Sequence, residues 1–209
     1  MGVLGVQSEV GRTMKRLFDI LASIVGLAVL SPVFVLIAVA IKLDSYGPVF
    51  FRQERVGFRG KLFRIWKFRT MSERAASLGP EVTIASDNRI TRMGAVLRNT
   101  KLDEIPQLIN VIRGNMSLVG PRPETFGFIT NLSEDELEVL KFKPGITDPA
   151  SIKFRNEASV LNQASDPVAY YKDTVLPEKI HINLAYQERA TFFTDLSVII
   201  QTLWSLVKN

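Results

Sequence analysis

The feature that most constrains this chain is a charge-free run of 22 residues, Ile20 to Ile41, with Ser31-Pro32 at its centre. Coiled as a helix at ~1.5 Å per residue, the run measures ~30 Å, the thickness of a bilayer's hydrocarbon. Proline withholds a backbone donor and crowds the preceding turn, which kinks or breaks a helix. A serine beside it can re-satisfy the freed carbonyl. Lys15 and Arg16 precede the run, and Lys42, Arg52 and Arg55 follow it. Basic flanks favour the cytoplasmic side, and a straight span places only one of them there. A helix-break-helix that enters and leaves by one face places both. The pattern therefore predicts a re-entrant membrane element over residues 14–46, pivoting at Ser31 and Pro32. Three other readings compete: a bitopic span with a tolerated proline, a cleaved signal peptide ending near Ala38-Val39-Ala40, and a buried core helix. The run is roughly twice as long as a signal peptide's apolar region. Residues 1–13 are weakly patterned and read as an extension or an alternative start before Met14-Lys15-Arg16.

Composition narrows the chemistry. The 209 residues contain no cysteine and one histidine, His181, which excludes disulfides, thiolate metal sites and histidine clusters. No partner motif surrounds His181, so it reads as structural. The formal charge is +5, but residues 50–101 hold twelve basic and four acidic side chains, a local surplus of +8. That surplus calls for an anionic partner. Val49-Phe50-Phe51 and Leu62 to Arg69 are rich in strand formers around a Gly57-Phe58-Arg59-Gly60 turn, so a β-hairpin is expected. Alternation puts Phe63, Ile65, Lys67 and Arg69 on one face, where Lys67 and Arg69 could hold phosphate. A solvated strand edge or a contact with anionic lipid explains the same pattern.

Asn99 to Gly114 reads as a helix with a loop at each end. Pro106 is tolerated only near a helix start and Gly114 is a natural stop, so the helix is expected to begin near Leu102 to Asp103. Asp103 and Glu104 then occupy the first turn, where unpaired N–H groups attract phosphate and lower a carboxylate's pKa. An ionised carboxylate can attack phosphorus, and its neighbour can help hold Mg2+, which takes oxygen ligands and bridges phosphates. Ordinary helix capping accounts for the same two acids. Beyond them, Pro121 and Pro123 stiffen the loop carrying Arg122, whose guanidinium suits phosphate or carboxylate. Glu124 follows directly. A surface turn with an incidental arginine is the plainer reading.

Taken together, these pieces resemble the bacterial sugar transferases, the small monotopic polyprenyl-phosphate phosphoglycosyl transferases. The likeness is carried by Lys15-Arg16-Leu17-Phe18-Asp19, Ser31-Pro32, Gly47-Pro48-Val49-Phe50-Phe51-Arg52-Gln53 and Lys67-Phe68-Arg69-Thr70-Met71. It continues in Leu102-Asp103-Glu104-Ile105-Pro106-Gln107, Met116 to Glu124 and Pro144-Gly145-Ile146-Thr147. The resemblance implies a phosphosugar passed from a UDP-sugar to polyprenyl phosphate with release of UMP. Asp103 would be the nucleophile, Glu104 its Mg2+-linked partner, and Arg98 and Arg122 the phosphate-binding arginines. It also implies a catalytic domain on the cytoplasmic face of the bacterial inner membrane. The fold expected is α+β: the re-entrant helix, then a mostly helical domain over 47–209 with a small β-hairpin and interfacial amphipathic helices.

After Thr147 the motif pattern departs. Asp148, Arg155 and Glu157 lie in the divergent stretch and are candidates for sugar contacts. Asp166-Pro167 and Leu176-Pro177 mark helix starts. Phe192, Phe193, Leu196, Ile199, Ile200, Leu203, Trp204 and Val207 recur at helical spacing, which suits core packing or a seat on the membrane surface. The partners expected are a UDP-sugar, a polyprenyl phosphate and membrane lipid, with no nucleic acid; a homodimer is left open, as are the sugar and the glycan pathway. A competing function is a non-enzymatic adaptor that binds anionic lipid through the basic face. A two-carboxylate glycosidase fails, because adjacent first-turn residues cannot flank a sugar ring.

Overall fold

The structure, a computed structural model, describes residues 9–72, 82–84 and 86–207. Residues 1–8 of the expected extension lie outside the described residues, as do Glu73, Arg74 and Glu81 of the basic stretch. The fold is α+β: a long apolar N-terminal helix, then a mostly helical domain with two small sheets.

Helix α1 runs from Glu9 to Asp44 without interruption, 36 residues including Pro32. The boundary expected at Met14 therefore falls inside it. Ser31-Pro32 is not a break in secondary structure, in contrast to the helix-break-helix expected. The reason is local. Proline leaves the Ala28 carbonyl without its usual donor, and the Ser31 hydroxyl donates to that carbonyl at 2.8 Å. By length and composition α1 can cross a membrane, with a mean hydropathy of 2.8 over its most apolar window.

One face of α1 is docked along its length. Arg16 donates to the Val111 and Ile112 carbonyls at 2.8 and 3.2 Å, and Asp19 accepts from Ser117 Oγ at 2.7 Å. Farther along, Ile37 and Ile41 bury against Phe68 and Leu97. Asp19, Ser23, Ile37 and Ile41 share this inner face at helical spacing. Leu17, Leu21, Val25, Val29, Leu36 and Leu43 form an exposed apolar stripe on the opposite side. The two flanking charges Lys15 and Arg16 are engaged by the protein, so counting them as free charges for lipid headgroups overstates that flank.

The hairpin forms where expected. Strand β1 (Phe50–Val56) pairs antiparallel with β2 (Leu62–Phe68) around a turn at Phe58–Gly60. Helix α2 (Arg92–Asn99) crosses the end of β2 so closely that a Cβ on Gly94 would lie 2.0 Å from the Thr70 carbonyl oxygen. Lys101 takes a left-handed conformation, φ 57°. A 3-10 helix over Leu102–Gln107 follows and leads into α3 (Leu108–Ile112). Gly114, φ 86°, ends that segment as its sequence predicts.

Strand β3 (Ser117–Val119) pairs in parallel with β4 (Gly145–Thr147), a sheet not foreseen. Between them lie α4 (Phe126–Ile129) and α5 (Glu134–Leu137). After β4 come α6 (Pro149–Lys153), α7 (Glu157–Leu161) and α8 (Pro167–Tyr170), then a π-helical turn over Tyr171–Val175 that continues into α9 (Leu176–Gln187). Asp166 caps α8 by accepting from Val168 and Ala169 N–H, as expected from Asp166-Pro167. Helix α10 (Phe192–Val207) is the last of the described elements. It packs on β3 and α9 through Val198 yet leaves Phe193, Ile200, Leu203 and Trp204 exposed. His181 is exposed on α9.

Candidate active site

The carboxylate pair is carried by the 3-10 helix, and the way that helix is held explains the geometry. Its continuation α3 presents Asn110 to the free edge of β2. The Asn110 amide accepts from Trp66 N–H at 2.8 Å and donates to the Arg64 carbonyl at 2.9 Å, standing in for a third strand. This fixes Asp103 and Glu104 beside Lys67 at the end of β2. Both carboxylates line a cleft of about 780 Å³ together with Lys67, Arg98, Arg122 and Arg155.

The two acids differ sharply in their surroundings. Glu104 accepts from Lys67 Nζ at 2.7 Å and from both Arg122 terminal nitrogens, at 2.6 and 3.2 Å. Burial alone would push its carboxyl up. The charges and hydrogen bonds of Arg122 and Lys67 outweigh that and hold it well below the usual range. Asp103 is 7% exposed, and its Oδ1 is buried with no hydrogen-bond donor. Burial, then the charge on Glu104, push the Asp103 carboxyl above its ordinary value, against Lys67, Arg98 and Lys101. The expectation that a first-turn position lowers this pKa therefore does not hold for Asp103. A six-residue 3-10 segment supplies little aligned dipole, and desolvation dominates.

The arginines divide into two groups. Arg98, in the last turn of α2, reaches Thr70 Oγ1 at 3.4 Å and lines the cleft near Asp103; burial lowers its pKa. Burial likewise lowers that of Lys67, more than Glu104 raises it. Arg122 projects from a loop in which Pro121 and Pro123 are buried. Arg69 is set apart. It is 5% exposed, and its guanidinium donates to the Ser45 and Tyr46 carbonyls at the end of α1, both at 2.7 Å. The alternation that pairs Lys67 with Arg69 ends with β2 at Phe68, so the two cationic heads part.

A second polar wall lies beyond Arg122. Glu124, 8% exposed, accepts from Tyr171 Oη at 2.8 Å and lies 3.7 Å from Arg55. Burial and then Glu124 push the Tyr171 phenol well up. Glu157 pairs with Lys179. Of the divergent stretch, Arg155 and Glu157 line the cleft. Asp148 does not; it caps α6 by accepting from Ser151 N–H at 2.9 Å. The contacts of Asn110, Thr70, Tyr171 and Asp19 could not be read from the sequence, although Thr70 and Asp19 lie inside quoted motifs, because each acts through a partner far away in the chain.

Among the described residues, no three His, Cys, Asp or Glu side chains converge as a cation cage. Mg2+ commonly binds through one or two carboxylates together with substrate phosphates. The adjacent pair Asp103 and Glu104, with one carboxylate oxygen unpartnered, fits that mode.

A sequence model of the bacterial sugar transferases matches residues 10–209. The chain belongs to the bacterial sugar transferase family. The match extends through the C-terminal helices, well past Thr147, where the motif likeness was expected to end. The chain is 36% identical over 201 residues to the UDP-glucose:undecaprenyl-phosphate glucose-1-phosphate transferase of Escherichia coli, covering 94% of this chain and 41% of that protein. It is 33% identical over 222 residues to the exopolysaccharide production protein ExoY of Rhizobium meliloti, covering 95% and 88%. Against the UDP-N-acetylgalactosamine-undecaprenyl-phosphate N-acetylgalactosaminephosphotransferase of Aeromonas hydrophila the identity is 34%, over 93% and 44%. The chain thus spans less than half of two of these relatives and most of the third.

Proposed function

We propose that this family member transfers a sugar 1-phosphate from a UDP-sugar to a polyprenyl phosphate, with Asp103 as a covalent carrier. The observation that carries the reading is the division of labour between the two acids. Glu104 is tied to Lys67 and Arg122 mainly through Oε1, with one 3.2 Å contact on Oε2, while Asp103 keeps an unpartnered buried oxygen at the cleft. In the first step a carboxylate oxygen of Asp103 attacks the sugar-bearing phosphorus. The bond from that phosphorus to the bridging oxygen breaks, and UMP leaves with the electron pair. In the second step an ionised oxygen of the polyprenyl phosphate attacks the same phosphorus. The aspartyl–phosphorus bond breaks, the carboxylate is regenerated, and a polyprenyl-diphosphate sugar departs. Arg98 and Arg122 bind and orient the donor diphosphate, Lys67 holds Glu104 in place, and Arg155 with the Glu124–Tyr171 wall faces the sugar end. Mg2+, held by Asp103 and Glu104 with donor phosphate oxygens, would neutralise diphosphate charge.

We infer that α1 sits re-entrantly in the bacterial inner membrane with the catalytic domain on the cytoplasmic face, since both halves of α1 dock on that one domain. The apolar sides of α1 and α10 face lipid. The basic-adaptor alternative gives no reason to bury a carboxylate pair among three cations.

Intact-mass measurement of the protein with UDP-sugar and Mg2+ but no acceptor tests the chemistry. The expected result is a mass gain of one phosphosugar on the peptide bearing Asp103, with one equivalent of UMP. Asp103→Asn is expected to fold, bind membranes and release no UMP. Normal turnover by that variant overturns the assignment.

A further inference from the structure

We propose that the acceptor's isoprenoid chain reaches Asp103 sideways, through an apolar portal between α1 and α10. The inference rests on the transfer reading above and assigns the acceptor end of the same cleft.

The two helices are pinned together at one end. Lys15 of α1 pairs with Asp195 of α10 at 2.5 Å, and Tyr186 of α9 donates to the same carboxylate at 2.6 Å. Beside them Phe18 and Phe192 meet edge to face, with ring centroids 5.1 Å apart. Beyond the pin both helices contribute to one cleft, the one that holds Asp103. Leu30 comes from α1, and Ile199, Leu203 and Leu206 come from α10. Ile105 and Leu108 continue the apolar lining from the helix segment that carries Asp103. The cleft is therefore two-natured. Its cations suit diphosphate and phosphate, and its remaining wall suits hydrocarbon.

That division matches one kind of molecule. A phosphate on a long apolar tail needs its head among cations and its tail out of water, since each exposed methylene is unfavourable. Both lips of the portal already have apolar outer sides, with Val25 and Val29 exposed on α1 and Ile200 and Trp204 exposed on α10. A tail lying between the helices can thus remain in the bilayer while its phosphate meets Asp103. The UDP-sugar needs no such wall and is served by the polar side of the cleft.

Photolabelling of the full chain in phospholipid vesicles tests this without requiring turnover. The probe is a long-chain polyprenyl phosphate with a photoreactive group on the isoprene unit next to the phosphate. Label is expected on the peptides containing Leu30 and Ile199 to Leu206, competed by unmodified polyprenyl phosphate. Leu203→Gln, at a side chain already 58% exposed, is expected to cut labelling and raise the long-chain acceptor KM about tenfold or more. A two-isoprene phosphate should show little change, and the UMP burst with donor alone should keep its amplitude. Label confined to other peptides, or Leu203→Gln acting equally on both acceptors, overturns the portal. So does a KM change fully explained by weaker vesicle binding, which Trp204→Ser on the outer side calibrates. Absence of a UMP burst from the unaltered chain counts against the transfer chemistry, whereas the labelling pattern decides the portal by itself.

Discussion

Asp103 and Glu104 are neighbours in sequence and opposites in electrostatics. Burial and Glu104 hold the Asp103 carboxyl above its ordinary value. The folded state thus binds that proton more tightly than the unfolded chain, and stability falls as pH rises through the raised value. At neutral pH Asp103→Asn removes this penalty. The expected outcome is a raised Tm alongside lost turnover. Thermal unfolding in detergent measures it. The nucleophile must be ionised, so kcat/KM should fall as pH drops through the raised value, with an acid limb above the ~3.9 of a free aspartate. Glu104→Gln deletes the second cause of the shift, so its residual activity should show that limb at lower pH. A limb that moves upward contradicts the account. The candidate pair Asp103 and Glu104 and the Arg122 loop were legible because their motifs are contiguous. The docking roles of Asn110 and Asp19 were not, since an asparagine that completes a strand edge and an aspartate that docks a helix depend on partners only the fold brings near.

At the scale of elements, Arg69 decides between two roles for one side chain. Its donors close the carbonyl end of α1, so Arg69→Met should destabilise the protein by roughly 2–3 kcal/mol through unsatisfied buried acceptors. The UMP burst per folded molecule should be retained. Denaturant unfolding and burst amplitude together separate this from a donor-binding role, in which the burst would vanish. The hairpin was readable from its strand formers and glycine turn, and α8 from its aspartate-proline start. The β3–β4 sheet was not, because three-residue strands are too short to show a period. The helix expected at the dyad forms first as a 3-10 segment, with Pro106 inside it and a left-handed Lys101 before it. Sequence indicated the start of that element but not its hand-off into α3, which depends on the edge of β2.

At the scale of the whole molecule, the long helix belongs to the domain as much as to the membrane. Its inner face is docked from Arg16 to Ile41, so single cysteines at Gly11 and Ser45 of this cysteine-free chain should both react with an impermeant label from the cytoplasmic side. Labelling from opposite sides would rule out re-entry. The long apolar helix was legible from its charge-free run; its continuity through Pro32 was not, because the repair by Ser31 is a matter of one hydroxyl's direction. The tie between Lys15 and Asp195 joins residues 180 apart in the chain. Ribosomes add on the order of ten residues per second, so Lys15 waits many seconds after its own synthesis for this partner. Until then Lys15 has no carboxylate, and a chain cut short before Asp195 never gains one. Loss of the segment bearing Asp195 would thus leave the part-buried Lys15 ammonium without its counter-charge, so damage in α10 is felt at α1.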